Sequence, residues 1–187
     1  DTVIKSIESY DTTTVRASVG NYLVSKYIKE NSSNVVVFNG DYADEVCGGY
    51  KYFEKCNNPI SFNNECKRLV NDICFFDSLR SDRTISAHGL EARVPFADKS
   101  FVNYYLSIHP NFRLCNKQIE KYLLRKAFEN DKILPDNILW RKKEAFSDGV
   151  SNNNNSWSSI IKKYIEPLIT DQELKESNFK LKETLYY

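Results

Sequence analysis

The feature that most constrains this chain is the run Val35-Val36-Val37-Phe38, which stops at Asn39-Gly40 and is followed at once by Asp41, Asp44 and Glu45. Four consecutive apolar residues between polar flanks read as a short strand buried on both faces. Strands of that kind belong to parallel sheets with helices on either side. Open parallel sheets put their ligand sites beyond the carboxyl ends of the strands. The three carboxylates therefore stand where a substrate or a magnesium–nucleotide complex is expected. Taken alone, the cluster reads more simply as the acidic start of the next helix, whose dipole favours negative charge there. The rest of the chain reverses that balance.

The chain has 187 residues, 41% hydrophobic and 27% charged, which fits one globular domain with a sizeable core. A net charge of +1 gives no footprint for nucleic acid or for an anionic membrane surface. No segment approaches the length of a transmembrane helix, and no basic leader precedes an apolar core at the amino end. The five cysteines are Cys47, Cys56, Cys66, Cys74 and Cys115, with no C-x-x-C pair among them, and the histidines are His88 and His109. Zinc spacing is absent. Scattered cysteines in odd number suit reduced thiols in a cytoplasmic setting. There is no methionine, even at position 1, so the expectation is a segment of a longer protein.

Apolar spacing of four over Val15–Glu30 predicts a helix with one face on Val19, Leu23 and Tyr27 and another on Val24 and Ile28. A helix is expected to resume near Ala43, with Gly48-Gly49 as its weak point or end. Ser61 to Arg80 reads as helical with Leu69, Ile73 and Phe76 inward. Asp98 is expected to cap a helix carrying Phe101, Tyr105 and Leu106, ended by His109-Pro110. Asn116 is read as the cap of a further helix holding Ile119, Leu123, Leu124, Ala127 and Phe128. Leu134-Pro135 opens a short one with Ile138 and Trp140. Ser151 to Ser156 is a polar break, after which Trp157 to Ile165 resumes. The count is one strand and about seven helices.

Three further groups carry chemistry. Asp11-Thr12-Thr13-Thr14-Val15-Arg16 puts hydroxyls and free amides at a helix start, an arrangement that binds phosphate but is also ordinary N-capping. Arg80, in Asp77-Ser78-Leu79-Arg80, could clamp a polyphosphate, while Glu91 and Arg93 read as a buried structural pair. Trp140-Arg141-Lys142-Lys143-Glu144-Ala145-Phe146 sets basic residues between aromatics, and a loop held by aromatics can aim a lysine into a cleft.

Together these segments resemble the synthetase domain of the glutamine-dependent asparagine synthetase family. The matching stretches are YDTTTVRAS, VVFNGDYADEVCGGYKYF, FFDSLRSDRTISAHGLEARVPFADKSF, IEKYLLRKAF and LPDNILWRKKEAFSDGV, in the family's order, from about Ser6 to Trp157. The resemblance implies an α/β fold of the adenine-nucleotide alpha-hydrolase (ATP pyrophosphatase) type, this stretch being mostly α-helical with few parallel strands. It implies adenylation of the aspartate side chain by ATP with Mg2+, release of pyrophosphate, and attack by ammonia. By resemblance, Thr14 and Arg80 contact pyrophosphate, and Asn39 and Gly40 contact the nucleotide. Asp44 holds magnesium on the phosphates, Asp41 takes a proton from ammonia, and Lys143 stabilises phosphate charge. Growing charge on leaving phosphates calls for fixed cations, and an attacking amine calls for a nearby base.

Residues 1–187 read as part of that domain, without its upstream pyrophosphate loop and without the glutaminase domain that supplies ammonia. Both ends look clipped, and the isolated chain is expected not to turn over. A cytoplasmic protein, a homodimer when complete, is implied. Departures from the family pattern are Asp41 for glutamate, Tyr42 for glycine and Ala97 for leucine. The first shortens the reach by one methylene, and misplacement on that scale can cost about 100-fold in rate. Two rivals follow: an inactive protein that keeps the fold as an interaction module, and a related adenylating enzyme of the β-lactam synthetase kind.

Overall fold

Thr2–Ile7 forms α1, and Asp11 then caps α2 (Thr12–Asn31), its Oδ1 accepting from the Thr14 amide at 2.7 Å. These belong to a computed structural model that describes residues 1–115, 119–144, 156–170 and 172–173. The chain divides into two compact units, Asp1–Glu144 and Ala145–Tyr187. The expected Asn116 cap, the Ala145–Val150 end of the basic motif, most of the polar break at 151–156 and the final segment 182–187 lie outside the described residues.

In the first unit β1 (Val36–Phe38) pairs in parallel with β2 (Glu91–Arg93), Val37 standing opposite Ala92. β2 was not expected, because three residues alternating charged and small carry no apolar run. Glu91 and Arg93 do pair, at 2.5 Å, but both are exposed rather than buried. The strand expectation also needs correction. Phe38 is 76% exposed and Val36 46%, because among the described residues the side of β1 that bears them is left open.

α2 forms as expected, but neither apolar set makes its inner face. Leu23, Val24 and Tyr27 are exposed, while Ser18 and Ser25 are buried. The serine hydroxyls donate to the carbonyls of Thr14 and Asn21 one turn back, so nothing polar is stranded on the inner face. That small-residue face lets α2 lie close to α5 (Asp77–Ser86).

Between the strands run α3 (Ala43–Cys47), a 3-10 turn at Lys51–Lys55 and α4 (Pro59–Asp72), the last capped by Asn58 with Pro59 in its first turn. The single helix expected over Ser61–Arg80 is two. A 3-10 turn at Ile73–Phe75 separates α4 from α5, and Phe76 points to solvent although Ile73 is buried. The break re-aims the chain. α4 packs Phe62 and Cys66 into the core, whereas α5 presents Ser78 and Ser81 to the loop after β1 and Asp77 to Tyr50 beyond α3.

Asp98 caps α6 (Lys99–Ser107) through the amides of Ser100 and Phe101, as the sequence predicts. Pro110 then opens α7 (Pro110–Arg113), so His109-Pro110 both ends one helix and starts another. α8 (Tyr122–Ala127) and α9 (Asp136–Leu139) complete the first unit. Its apolar core centres on α3: Val46 and Cys47 pack on Tyr105, and Phe53 packs on Phe62 and Cys66. In the second unit α10 (Trp157–Ile165) is capped by Ser156. Among the described residues no helix is long and apolar enough to cross a membrane, and all five cysteines are free.

Candidate functional site

Asn39 follows the last residue of β1, and its amide donates to the Arg93 carbonyl at 2.9 Å, so the strand pair fixes where the next loop begins. The Asn39 side chain then organises that loop. Its Nδ2 donates to Asp41 Oδ2 at 2.9 Å and to the Ser81 hydroxyl of α5, and its Oδ1 accepts from the Asp41 amide at 2.6 Å. Gly40 is exposed and crowded by nothing. Tyr42 has φ 70°, the left-handed region that glycine tolerates best. A tyrosine stands there because its ring packs on the core around Val46 and its hydroxyl accepts from Ser78 at 3.0 Å.

α3 begins at the next residue and brings Asp44 to the surface of a cleft. Asp44 Oδ1 lies 2.6 Å from Lys121 Nζ, and Oδ2 lies 2.7 Å from Lys143 Nζ. Lys143 also donates to the Gly49 carbonyl at 3.0 Å and sits 4.7 Å from the centre of the Tyr50 ring. Burial opposes ionisation of Asp44, but the charge and hydrogen bonds of the two lysines outweigh it and hold its carboxyl below the usual range. The double glycine makes this possible. Gly48 ends α3 at φ +65°, and a Cβ at Gly49 would stand 2.0 Å from Asp44 Oδ1.

Glu45 is buried beneath. Burial pushes its carboxyl up to about 7, against the hydrogen bond donated by the Tyr50 hydroxyl, with the charges of Asp77 and Asp44 adding to the rise. Tyr50 Oη is also 3.4 Å from Asp77 Oδ2, and Asp77 Oδ1 pairs with Arg80 at 2.7 Å. Arg80 Nε is buried and has no hydrogen-bond partner among the described residues. A buried guanidinium N–H without an acceptor is a donor available to an anion.

Thus Asp44, Lys143, Arg80, Asn39 and Asp41 are joined through Glu45, Tyr50, Asp77 and Ser81 around the carboxyl end of β1. Thr14 is placed differently. It lies in the first turn of α2, its amide is taken by Asp11, and no described hydrogen bond links it to the Asp44 group. Sequence reasoning passed over Lys121, Tyr50 and Asp77. Lys121 has φ 55° at the start of α8, and its one signal was a place inside the IEKYLLRKAF segment. A cleft of about 380 Å³ adjoins the pair, lined by Lys121, Arg125, Arg141, Lys142 and Lys143 against Asp44 and Glu144. Five cations facing two carboxylates suit an anionic ligand.

The group also meets the needs of a magnesium ion in one respect. Magnesium is usually held by one or two carboxylates and the phosphates of its substrate. Among the described residues no group of three or more His, Cys, Asp or Glu could hold a metal ion. A single ionised carboxylate such as Asp44 fits an ion that would arrive on a polyphosphate.

The model of the family described as asparagine synthase matches residues 1–64 and 57–185. The chain belongs to the asparagine synthase family. Glutamine-hydrolysing asparagine synthetases are its relatives. That of Homo sapiens is 48% identical over all of this chain and 35% of its own length. That of Mus musculus is 50% identical over 96% of this chain and 32% of its own. That of Mesocricetus auratus is 52% identical over 91% and 30%. The chain thus spans about a third of the length of these asparagine synthase relatives.

Proposed function

We propose that the full-length protein carrying this chain is an asparagine synthetase, a ligase that converts aspartate to asparagine at the expense of ATP. The carboxylate of aspartate is adenylated to β-aspartyl-AMP, pyrophosphate leaves, and ammonia displaces AMP. The ammonia comes from a glutaminase domain outside this chain. The fold is that of the ATP pyrophosphatases, and the protein works in the cytoplasm, where free thiols such as its five stay reduced. A homodimer is part of the same reading, and residues 1–187 are part of the synthetase domain.

The observation that carries the proposal is the pairing of Asp44 with Lys143 at 2.7 Å, in a chain about half identical to glutamine-hydrolysing asparagine synthetases. Asp44 would hold magnesium, and Lys143 beside it would offset the charge that rises on the phosphate oxygens as pyrophosphate departs. Magnesium, when bound, neutralises part of the polyphosphate charge. Arg80 contributes its unpartnered Nε to the same anion. Thr14 offers a hydroxyl, since its amide is engaged by Asp11. Asn39 and Gly40 contact the nucleotide, and the open space at Gly40 suits close approach of a ligand to the backbone. Asp41 takes the proton from ammonia.

One observation favours a second reading, an inactive protein that keeps the fold for interaction. Asp41 is already held by Asn39, and its side chain is a methylene shorter than glutamate. The deciding experiment is formation of asparagine and pyrophosphate by the full-length protein, given ATP, aspartate, magnesium and either glutamine or ammonia. Turnover with both nitrogen donors supports the synthetase. No turnover by a folded protein that still binds magnesium-ATP supports the interaction module.

A further inference from the structure

Tyr50 is the residue on which the two halves of the site meet, although no part of the proposed chemistry uses it. Its hydroxyl donates to the buried Glu45 of α3 and stands 3.4 Å from Asp77 of α5, which in turn holds Arg80. Its ring carries the ammonium of Lys143 at 4.7 Å from the centroid. The side chain also packs against the Phe53, Phe62 and Cys66 cluster, and the ring stacks on Tyr52 at 5.9 Å. A side chain fixed by the core, by a carboxylate and by a neighbouring ring has little freedom left, so what rests on it is also fixed.

We propose that Tyr50 is a positioning residue of the Asp44 site: its ring sets the place of the Lys143 ammonium, and its hydroxyl ties α3 to the Asp77–Arg80 pair of α5. The proposal rests on the reading of that site as one for a magnesium polyphosphate. A lysine ammonium has three N–H donors. Two are engaged by Asp44 Oδ2 and the Gly49 carbonyl. The third is left for a ligand, and the aromatic face restricts where the ammonium can swing. Without the ring Lys143 keeps its two acceptors but loses the wall beneath it, and a long flexible stem samples more positions. Without the hydroxyl, Glu45 loses its donor and Asp77 one of its contacts, which loosens the placement of Arg80 relative to Asp44. Burial, with the negative charge of Glu45 and Asp77, pushes the phenol well above its ordinary range, so it remains a donor at any working pH.

The test uses Tyr50→Phe, which keeps the ring, and Tyr50→Met, which keeps comparable bulk without it. In the full-length protein the rate of acylation of Lys143 by a small anhydride is read by mass spectrometry, with Lys142 as the internal standard. Tyr50→Met raises Lys143 labelling about fivefold, the factor corresponding to a cation–π contact of moderate strength, and leaves Lys142 unchanged. Tyr50→Phe leaves both within twofold. Pyrophosphate release from ATP and aspartate is then compared between Tyr50→Phe and Tyr50→Met, each with and without Lys143→Ala, so that the hydroxyl is absent throughout and only the ring changes. If the ring acts through Lys143, Tyr50→Met with Lys143→Ala is no slower than Tyr50→Phe with Lys143→Ala. Losses that multiply, or equal labelling of Lys143 in all three proteins, overturn the proposal. Should Tyr50→Met not fold, a rise in Lys143 labelling in Tyr50→Phe overturns it as well. Absence of turnover in the unmodified protein counts against the synthetase reading alone, because the labelling comparison does not depend on turnover.

Discussion

Asp44 and Lys143 stand 99 residues apart in the chain and 2.7 Å apart in space. Each Asp44 oxygen is engaged by a different lysine, Lys121 on one side and Lys143 on the other. Two cations gathered on one carboxylate leave one positive charge of this trio unbalanced. On the proposed reading, Asp44 would hold magnesium carried by a polyphosphate, and Lys121 and Lys143 would then be free to offset charge on the phosphate oxygens.

Lys143→Ala should harm turnover of the full-length protein far more than Lys142→Ala. Lys143 is partly buried and held by three groups, whereas Lys142 is exposed. A cation that stabilises developing charge in a site is worth about 3 kcal/mol, or roughly 100-fold in rate. An exposed lysine on the wall of the same cleft, as Lys142 is, contributes at most about 1 kcal/mol. Both changes remove one cation from adjacent positions, so net charge is controlled. Equal losses in steady-state kcat would mean that the basic segment acts as a diffuse field.

Gly49→Ala should destabilise the chain while Gly40→Ala is close to neutral. A methyl at Gly49 collides with Asp44 Oδ1, and that atom also belongs to the Lys121 pair. At Gly40 nothing lies within 4 Å. Overpacking of this kind costs about 1–3 kcal/mol, which thermal unfolding resolves. Comparable melting temperatures for the two variants would show that Asp44 can move aside freely.

Asp44→Asn separates the two roles of this carboxylate. The change keeps the shape but leaves two ammonium groups side by side without a counter-charge. Magnesium should then no longer improve pyrophosphate binding by the full-length protein, while pyrophosphate without metal binds more tightly than in the unmodified protein. Calorimetry with and without magnesium reads both effects. An undiminished magnesium effect would remove Asp44 from the metal's surroundings.

The strand, the acidic loop after it and the lysine that meets it were legible because each lies in a continuous motif with a clear break. The cap at Asp98 was legible for the same reason, since capping is a local hydrogen bond. β2 was not, because Glu91-Ala92-Arg93 has no apolar pattern and pairs only by virtue of its parallel neighbour. Nor was the break at Ile73–Phe76, where apolar periodicity continues through a change of direction imposed by the contacts of α5 with the β1 loop. Lys121 was hidden because its role depends on a left-handed backbone at the start of α8, which no side-chain pattern announces. Tyr50 read as one aromatic in an aromatic-rich turn.

Glu45 gives the chain a pH dependence of definite sign. Its ordinary value is 4.5, and burial raises it to about 7 in the fold, with the nearby charges of Asp77 and Asp44 adding to the effect and the Tyr50 hydroxyl opposing it. The folded state therefore holds this proton more tightly than the unfolded state does. Stability from the group is fully present below 4.5 and is lost as the pH rises through about 7. Asp44 works in the opposite direction, since its lowered value gives stability that is lost only as the pH falls below its ordinary 3.8. Between about pH 5 and about pH 8 the Glu45 contribution changes and that of Asp44 does not. The free energy of unfolding in urea should accordingly fall across this window, by at most about 3 kcal/mol, since each tenfold change in proton affinity is worth about 1.36 kcal/mol. Glu45→Gln cannot ionise and still accepts from the Tyr50 hydroxyl. It should flatten the profile, and its stability relative to the unmodified chain should improve as the pH rises. A profile that keeps its slope in Glu45→Gln would assign the dependence to another group, and the buried carboxylate beneath the site would then be ionised throughout.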